Sequence, residues 1–263
     1  MSQDTQKADT GVRAVHLAFD VLEAVASEQG EVGVSELALR IGTTKGTVFR
    51  HLQTLVDRGY LSQNPTNARY RLGVRAHLLG QASSGRIDLL QAAETPMRAL
   101  REETGSTVVV SAVSTRGVTV LATVLGKSAL EIGVRPGSEL DLHCSAQGKV
   151  ATAFGPPALL LRLRRSELER KTPMTCTDIA LLEQAFEACR RNGYATACDE
   201  ETIGINALAA PLLNETGLGI GTVAIVGSIQ HIAQTPTQTQ IDAVLRTARA
   251  ISHNLGFSGK IPA

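Results

Sequence analysis

The amino-acid sequence predicts an α+β protein made of two folded parts. The chain has 263 residues, of which 43% are apolar, so it can bury a sizeable core at ~100–200 residues per domain. Its first third has the apolar spacing of short helices, and the rest has β-rich runs on both sides of a helical middle. Because strands and helices do not alternate one by one, the pattern favours an antiparallel sheet. Disordered and fibrous classes are excluded.

Positive charge is concentrated in one segment. The whole chain has 26 Lys and Arg against 25 Asp and Glu, a net charge of +1, which by itself predicts no acidic partner. Between Arg40 and Arg86, however, eight basic residues accompany a single acid, Asp57. This segment therefore carries +7 and the remainder −6, which the average over the chain conceals.

Several classes of protein are not expected. The four cysteines, at positions 144, 176, 189 and 198, lack the paired spacing of a zinc site, and no secretory segment is recognisable near the start. Every apolar stretch is interrupted well before the ~18 residues of a membrane span. We therefore expect a cytoplasmic protein with reduced thiols and without a metal, a cofactor or a membrane partner.

The N-terminal elements begin after a polar tail. Residues 1–11 have no apolar period and predict a disordered tail. Apolar residues then recur at three and four from Ala14 to Ser27, which predicts a helix with one buried stripe. Ser35 is an N-cap candidate for a second, short helix, and Gly42 is a natural C-terminal stop.

A third helix and two short strands follow. Thr43 or Thr44 can cap a helix that runs to Gly59, with apolar residues on one side and basic residues on the other. The segments Tyr60–Gln63 and Arg69–Leu72 flank a breaker cluster and predict a small β-hairpin, the wing. Three helices and a wing are typical of a winged helix-turn-helix, whose third helix enters the DNA major groove.

The basic residues of this domain are the candidate DNA contacts. We predict base contacts from the third helix and mainly phosphate contacts from the wing. The predicted DNA-binding residues are Thr44, Lys45, Thr47, Arg50, Arg69 and Arg71. The alternative is an ordinary three-helix module with a solvated basic face. Basic residues on both the helix and the wing, where phosphate contacts are needed, favour DNA.

The expected domains are a winged helix over 12–75, a linker helix over 76–94 and a second domain over 95–258. Leucines and an alanine of the linker helix predict dimer contacts: Leu78, Leu79, Ala82, Leu89 and Leu90. In the second domain, strands are expected at 108–113, 118–124, 130–134, 205–213 and 219–226, and helices at 145–154, 157–170, 178–192 and 236–255.

Five stretches carry a likeness to a known family. They are Val34–Leu61, Arg69–Gly73, Leu142–Val150 (LHCSAQGKV), Gly193–Asn214 (GYATACDEETIGINALAAPLLN) and the helix that ends at Asn254-Leu255-Gly256. In this order and separation they resemble the IclR family of bacterial transcriptional regulators. The resemblance implies a C-terminal domain similar to the GAF fold that binds a small molecule, and a homodimer that can pair again into a homotetramer.

The resemblance also implies where an effector would bind. The implied effector-binding residues are Ala129, Ile132, Leu140, Ala146, Gln147, Cys198, Asp199, Ala207, Ala224 and Val226. Family members that bind small polar acids tend to carry serines where this chain has Ala224 and Val226. The site therefore favours a larger, partly apolar organic acid, such as an aromatic or medium-chain acid, with its carboxylate on the free N–H groups of Ala146 and Gln147.

Two other functions are weighed against this one. A hydrolase would use Cys144 or Ser145 with His143 and the carboxylates that follow Cys198, but adjacent residues rarely present their side chains to one another. A metabolite sensor whose winged helix makes only protein contacts is the other alternative. We expect instead a ligand-responsive regulator of a catabolic operon, not an enzyme, that binds a near-palindromic double-stranded DNA operator as a dimer.

Overall fold

The computed structural model describes residues 12–28, 30–83, 89–128 and 132–259. Its contacts divide the chain into two compact units, residues 1–86 and 87–263. The expected tail over residues 1–11 lies outside the described residues, as do positions 84–88 of the expected linker helix. Within the described ranges, no helix is long and apolar enough to cross a membrane.

The first unit is a winged helix. Its elements are α1 (Arg13–Ala26), α2 (Val34–Ile41), α3 (Lys45–Asp57), the antiparallel strands β1 (Leu61–Gln63) and β2 (Tyr70–Leu72), and α4 (Val74–Ser83). One apolar core joins the three helices to the hairpin, and its fully buried members include Val21, Leu37, Val48, Leu52 and Tyr70. Burying these side chains stabilises the unit by roughly 1.5–3 kcal/mol each.

The two ends of α2 show which helix boundaries in this unit follow from the local sequence. Gly42 adopts a left-handed conformation (φ 71°) and ends the helix as predicted. The prediction that Ser35 caps the start is wrong, because Ser35 lies within the first turn and Gly33 is the N-cap. Glu36 accepts a hydrogen bond from the Gly33 N–H (3.3 Å), so this donor is satisfied without a serine at the cap.

The second unit is a six-stranded antiparallel sheet with helices on both faces. Its strands are β3 (Thr107–Val113), β4 (Val118–Val124), β5 (Glu139–Leu140), β6 (Ala195–Cys198), β7 (Ile205–Leu213) and β8 (Gly219–Ser228), in the order β5-β4-β3-β8-β7-β6. Its helices are α5 (Leu89–Thr104), α6 (Ala146–Phe154), α7 (Ala158–Arg165), α8 (Ile179–Asn192) and α9 (Gln238–Asn254). The predicted α+β, GAF-like class is confirmed.

Side chains alternate between the two faces of this sheet. Val108 and Val110 of β3 pack on the face covered by α5 and α9. Val109, between them, points to the other face and clusters with Val226 and Ile132. The second face therefore has an apolar floor beside α6, and this floor belongs to the candidate site described below.

Some predicted elements differ from the structure. Residues 132–134 form no strand, positions 129–131 lie outside the described residues, and the edge strand is instead β5, where Leu140 pairs with Val118. The helix expected over 157–170 ends at Arg165. After it, Arg170 donates to the Thr175 carbonyl (3.0 Å) and so belongs to the following loop. Strand β6 was not predicted.

The expected linker region contains parts of two helices, α4 and α5. Leu78, Leu79 and Leu90 are exposed, whereas Leu89 is buried in the core of the second unit, so the expectation that Leu89 makes dimer contacts is wrong. A Cβ on Gly221 would lie 2.8 Å from Leu89 Cδ2, so the glycine makes room for this leucine. The side chain of Ala82 lies outside the description.

Candidate DNA-binding surface and ligand cavity

Helix α3 presents its polar side to solvent. Thr44 caps the helix: its hydroxyl oxygen accepts the Thr47 N–H (3.3 Å), and the two hydroxyl oxygens are 2.9 Å apart. Val48 and Leu52 are buried on the opposite side. The helix is thereby fixed with its first turn, including the exposed Lys45, open to a partner.

The predicted DNA-binding residues of α3 are at least partly accessible to solvent. Lys45 and Arg50 are exposed, and Thr47 is half-buried beside Thr44. Sequence reasoning missed Phe49, which lies one turn after Lys45 and is 48% exposed. The i, i+4 spacing from Lys45 was the available signal. The exposed basic side chains suit phosphate and base contacts, and an exposed Phe can contact a thymine methyl group.

The two predicted wing residues differ in their surroundings. Arg71 on β2 is exposed. Arg69 instead donates from Nε to the Glu31 carbonyl oxygen (3.0 Å), and its Nη2 forms an ion pair with Glu36 (2.9 Å). Arg69 therefore links the wing to the segment before α2 and to α2 itself, an arrangement that the sequence did not reveal.

A cavity of about 220 Å³ lies in the second unit between the start of α6, the loop after β6 and the sheet. It is lined by Ile132, Gly133, Val134, Leu140, Ser145, Ala146, Gln147, Ala197, Glu201, Thr202, Ile205, Asn206, Ala207 and Val226. Its walls are mainly apolar, and its polar residues come from the start of α6, from the loop after β6 and from Asn206 of β7.

Six of the predicted effector residues line this cavity: Ile132, Leu140, Ala146, Gln147, Ala207 and Val226. The structure does not bring three others there. The Cys198 thiol donates to the Gln234 carbonyl (3.2 Å), the Asp199 carboxylate accepts the Gly204 N–H (2.5 Å), and Ala224 is fully buried in the core beneath α6. Ala129 lies outside the described residues.

The start of α6 provides hydrogen-bond donors. Ser145 caps the helix, since its Oγ accepts the Gly148 N–H (2.9 Å) and donates to the Asp141 carbonyl (2.7 Å). A Cβ on Gly148 would lie 2.0 Å from the Asp141 oxygen, so only glycine permits this close turn. The N–H groups of Ala146 and Gln147, in the first turn, point out of the helix without an intrahelical acceptor.

The side chain of Gln147 joins α6 to the sheet. Its Nε2 donates to the hydroxyl oxygens of Ser111 on β3 (2.9 Å) and Thr222 on β8 (3.0 Å), and all three residues are buried. These two bonds use both amide hydrogens. The position of the first helical turn relative to the cavity floor is therefore fixed.

The loop that follows β6 is held by a buried ion pair and two threonines. Lys149 of α6 donates to the two Glu200 carboxylate oxygens (2.6 and 2.7 Å), and both side chains are at most 15% exposed. The Thr172 hydroxyl donates to the Asp199 carbonyl (2.6 Å), and the Thr175 hydroxyl to the Glu200 carbonyl (2.6 Å). These contacts fix the conformation in which the next residue, Glu201, faces the cavity.

Glu201 is the cavity acid that sequence reasoning did not single out. Asp199, the first of three consecutive acids, was the acid expected at the effector site, but the third, Glu201, is the one that lines the cavity. Burial raises the pKa of Glu201, and Lys171, 3.9 Å away, acts in the opposite direction. Lys171 also forms an ion pair with Asp141. Seven further lining residues were missed: Gly133, Val134, Ser145, Ala197, Thr202, Ile205 and Asn206.

The geometry does not form a hydrolase centre. Cys144 is fully buried, and burial raises the pKa of its thiol to about 12, so it is not a ready nucleophile. The Ser145 hydroxyl donates to a backbone carbonyl, and His143 Nε2 lies 2.9 Å from the Glu169 carbonyl. Over the described ranges, no cluster of His, Cys, Asp and Glu has the arrangement of a metal site.

A winged helix with a basic recognition surface, followed in the same chain by a sheet domain with a small cavity, defines a DNA-binding transcriptional regulator. The model of the bacterial transcriptional regulator IclR C-terminal domain matches residues 81–253, and the IclR helix-turn-helix domain model matches residues 14–65. The chain belongs to the IclR family. It is a transcriptional regulator and not an enzyme.

Relatives match along nearly the whole chain. The HTH-type transcriptional regulator BhcR of Paracoccus denitrificans is 30% identical over 246 residues, covering 93% of this chain and 88% of that protein. The HTH-type transcriptional regulator KdgR of Escherichia coli is 26% identical over 255 residues, 97% of each chain. Each therefore aligns with this chain over most of its own length.

Solved structures share the fold. The Thermotoga maritima IclR structure is 27% identical, with a TM-score of 0.69, and covers 92% of this chain and 98% of its own. An IclR homologue from Microbacterium hydrocarbonoxydans, complexed with 4-hydroxybenzoate, has a TM-score of 0.77 at 22% identity, with the same two coverages. At that identity the second structure supports the fold alone.

Proposed function

We propose that this regulator controls a catabolic operon by binding a near-palindromic operator as a homodimer, which can pair into a tetramer, and that a small organic acid in the cavity changes its operator affinity. The observation that supports an acidic ligand is the start of α6, because Ala146 and Gln147, whose backbone N–H groups have no acceptor within the helix, line the apolar-walled cavity. The 4-hydroxybenzoate bound to the homologue from M. hydrocarbonoxydans supports the same chemical class.

The cavity favours an acid with an apolar body. We place its carboxylate on the N–H groups of Ala146 and Gln147 and its apolar part against Ile132, Leu140 and Val226, all of which line the cavity. The volume of about 220 Å³ corresponds to roughly seven water molecules at ~30 Å³ each, which suits a single-ring or medium-chain acid.

Calorimetry with a panel of acids tests this assignment. Hydroxybenzoate-type and medium-chain acids should bind more tightly than glyoxylate or pyruvate, because the apolar wall leaves a small acid's oxygens unpaired at roughly 1–3 kcal/mol for each buried group. Val226→Ser should shift the preference toward the small acids. Clearly tighter binding of glyoxylate or pyruvate by the parent protein would refute the assignment.

Glu201 should make binding of the acid depend on pH. A bound carboxylate repels the ionised form of Glu201, whose pKa burial already raises. Binding should therefore strengthen as pH falls from neutral through this raised pKa, by up to about tenfold per pH unit. Glu201→Gln should bind more tightly at neutral pH and lose this dependence.

The same variant separates Glu201 from its charged neighbours. Lys171, Asp141 and His143 also act on Glu201, and all three remain in the Gln variant. If Glu201→Gln retains the pH dependence of the parent, one of these groups causes it and the prediction about Glu201 is wrong.

For the DNA surface we propose that Lys45, Thr47 and Arg50 contact bases and that Arg71 contacts phosphate, with Thr44 fixing the start of the recognition helix. The exposure of the two basic side chains on α3 and of Arg71 supports these roles. A single winged helix covers few base pairs, so two copies on half-sites are needed for specificity.

A further inference from the structure

The tip of the wing is tied to the body of the first unit by the Glu31 carboxylate. Glu31, in the segment between α1 and α2, accepts hydrogen bonds from the Nδ2 atoms of Asn64 (3.0 Å to each oxygen) and Asn67 (2.8 Å). These asparagines belong to the turn that connects β1 to β2. The tip of the wing is therefore held from outside the hairpin.

The same segment also holds the second strand of the wing. The Glu31 carbonyl accepts from Arg69 Nε (3.0 Å), while Val32 and Tyr70 exchange backbone hydrogen bonds of 2.9 and 2.8 Å. Arg69 continues to the carboxylate of Glu36 on α2 (2.9 Å). A two-stranded hairpin alone is only marginally stable in water, so these contacts, together with the burial of Leu61 and Tyr70 in the core, hold its conformation.

Glu31 is an unexpected residue on a DNA-binding surface. Its negative charge lies near Arg69 and Arg71 and opposes the attraction of the wing to phosphate. Hydrogen bonds from Asn67 and Asn64 lower the pKa of Glu31, so the carboxylate stays ionised at neutral pH. The repulsion between Glu31 and the DNA phosphates is offset if its hydrogen bonds order the wing and an ordered wing binds DNA more tightly.

We propose that Glu31 is a positioning residue for DNA binding: with Arg69 it holds the wing in one conformation, so that Arg71 reaches the DNA backbone without a cost for ordering the hairpin. Arg69 then acts as a link within the protein rather than as a phosphate contact. A preorganised contact surface loses less conformational freedom on binding. The contacts that Glu31 and Arg69 make with the wing therefore lower the entropic cost of binding DNA.

The sign of a charge-removing substitution tests this proposal. If Glu31 acted only through its charge, Glu31→Gln would tighten binding to any DNA. We expect the reverse, an affinity lowered by about threefold to tenfold. Gln keeps only one, uncharged, acceptor oxygen, and its NH2 group would face the Asn64 Nδ2 donor that now binds the second carboxylate oxygen. Glu23→Gln is the matched control, since it removes the same charge from an exposed position on α1 and should leave affinity unchanged or slightly higher.

The measurement is fluorescence anisotropy with the full chain and a labelled duplex from the region upstream of its own gene, over a series of salt concentrations. The slope of log affinity against log salt should become shallower by about one in Glu31→Gln, the change expected for one lost phosphate contact. Asn67→Ala changes no charge and should weaken binding in the same direction. If circular dichroism shows that the Glu31→Gln variant does not fold, the DNA affinity of Asn67→Ala is the deciding measurement.

The proposal is overturned if Glu31→Gln binds as tightly as the parent or more tightly, as the control is expected to do. An affinity loss with an unchanged salt slope also overturns it, because no phosphate contact would then have been lost. If the Glu31 variant is unfolded, unchanged binding by Asn67→Ala overturns it equally.

Discussion

Lys149→Met should lower the free energy of unfolding of the second unit by about 3–5 kcal/mol. The lysine Nζ forms the buried ion pair with Glu200 and also donates to the Thr196 carbonyl (3.0 Å). Removing the cation leaves the Glu200 carboxylate buried without its partner, and this desolvated charge accounts for most of the loss. Urea denaturation followed by circular dichroism measures the change.

Two control variants separate the effect of burial on stability from the effect of removing a charge. Lys127 pairs with Glu102 at an exposed site, so Lys127→Met should cost no more than about 1 kcal/mol. The double variant Lys149→Met with Glu200→Leu removes both charges and should recover part of the lost stability. If Lys149→Met is as stable as the parent, the ion pair does not hold the loop that carries Glu201.

Arg50→Ala should weaken binding to the specific operator by about 1–3 kcal/mol, with a smaller effect on an unrelated duplex. Arg50 is exposed on the side of α3 that is opposite the buried Val48 and Leu52, so it can reach base edges in the major groove. Fluorescence anisotropy on both duplexes at matched salt gives the two affinities and their ratio.

Arg58→Ala is the matched control for this prediction. Arg58 is exposed at the C-terminal end of α3, roughly 12 Å along the axis from Arg50 at ~1.5 Å per residue. Its loss should change both affinities equally, as for a phosphate contact. If the two variants behave alike on both duplexes, Arg50 does not read bases.

The winged helix could be predicted from the sequence because its signals are local. The apolar spacing of α3, the Thr44 cap and the Gly42 stop each act within a few residues, and the structure has all three. Helix α1 also forms, but Val15 and Phe19 of its predicted buried stripe are exposed. The strands with β-branched runs were predicted for the same reason. β6 was missed because Ala-Thr-Ala-Cys has weak strand propensity, and pairing with β7 makes it a strand.

The cavity was predicted only in part because its lining depends on tertiary geometry. Ala224 and Val226 lie two residues apart on one strand and face the same side, but α6 covers Ala224, and no local signal reports this. Asp199 adopts a left-handed conformation (φ 58°) that turns the chain after β6. That turn, and not the order of the acids, brings Glu201 to the cavity.

The different surroundings of Arg69 and Arg71 also depend on tertiary contacts and could not be predicted from the sequence. Both are basic residues of the wing and are indistinguishable by sequence spacing. Only the folded hairpin shows that Arg69 reaches Glu31 and Glu36 while Arg71 remains exposed. Residues two apart on a strand share a face, so strand geometry does not separate these two arginines, and the partners of Arg69 come from elsewhere in the chain.

The most direct test of a ligand-responsive regulator is the operator affinity measured with and without the tightest-binding acid of the calorimetric panel. We predict that saturating acid changes this affinity by at least about fivefold, and that the operator changes the affinity for the acid by the same factor, as linkage requires. If the acid binds the free protein and leaves operator affinity unchanged, or if the upstream duplex is bound no better than an unrelated one, the account is contradicted.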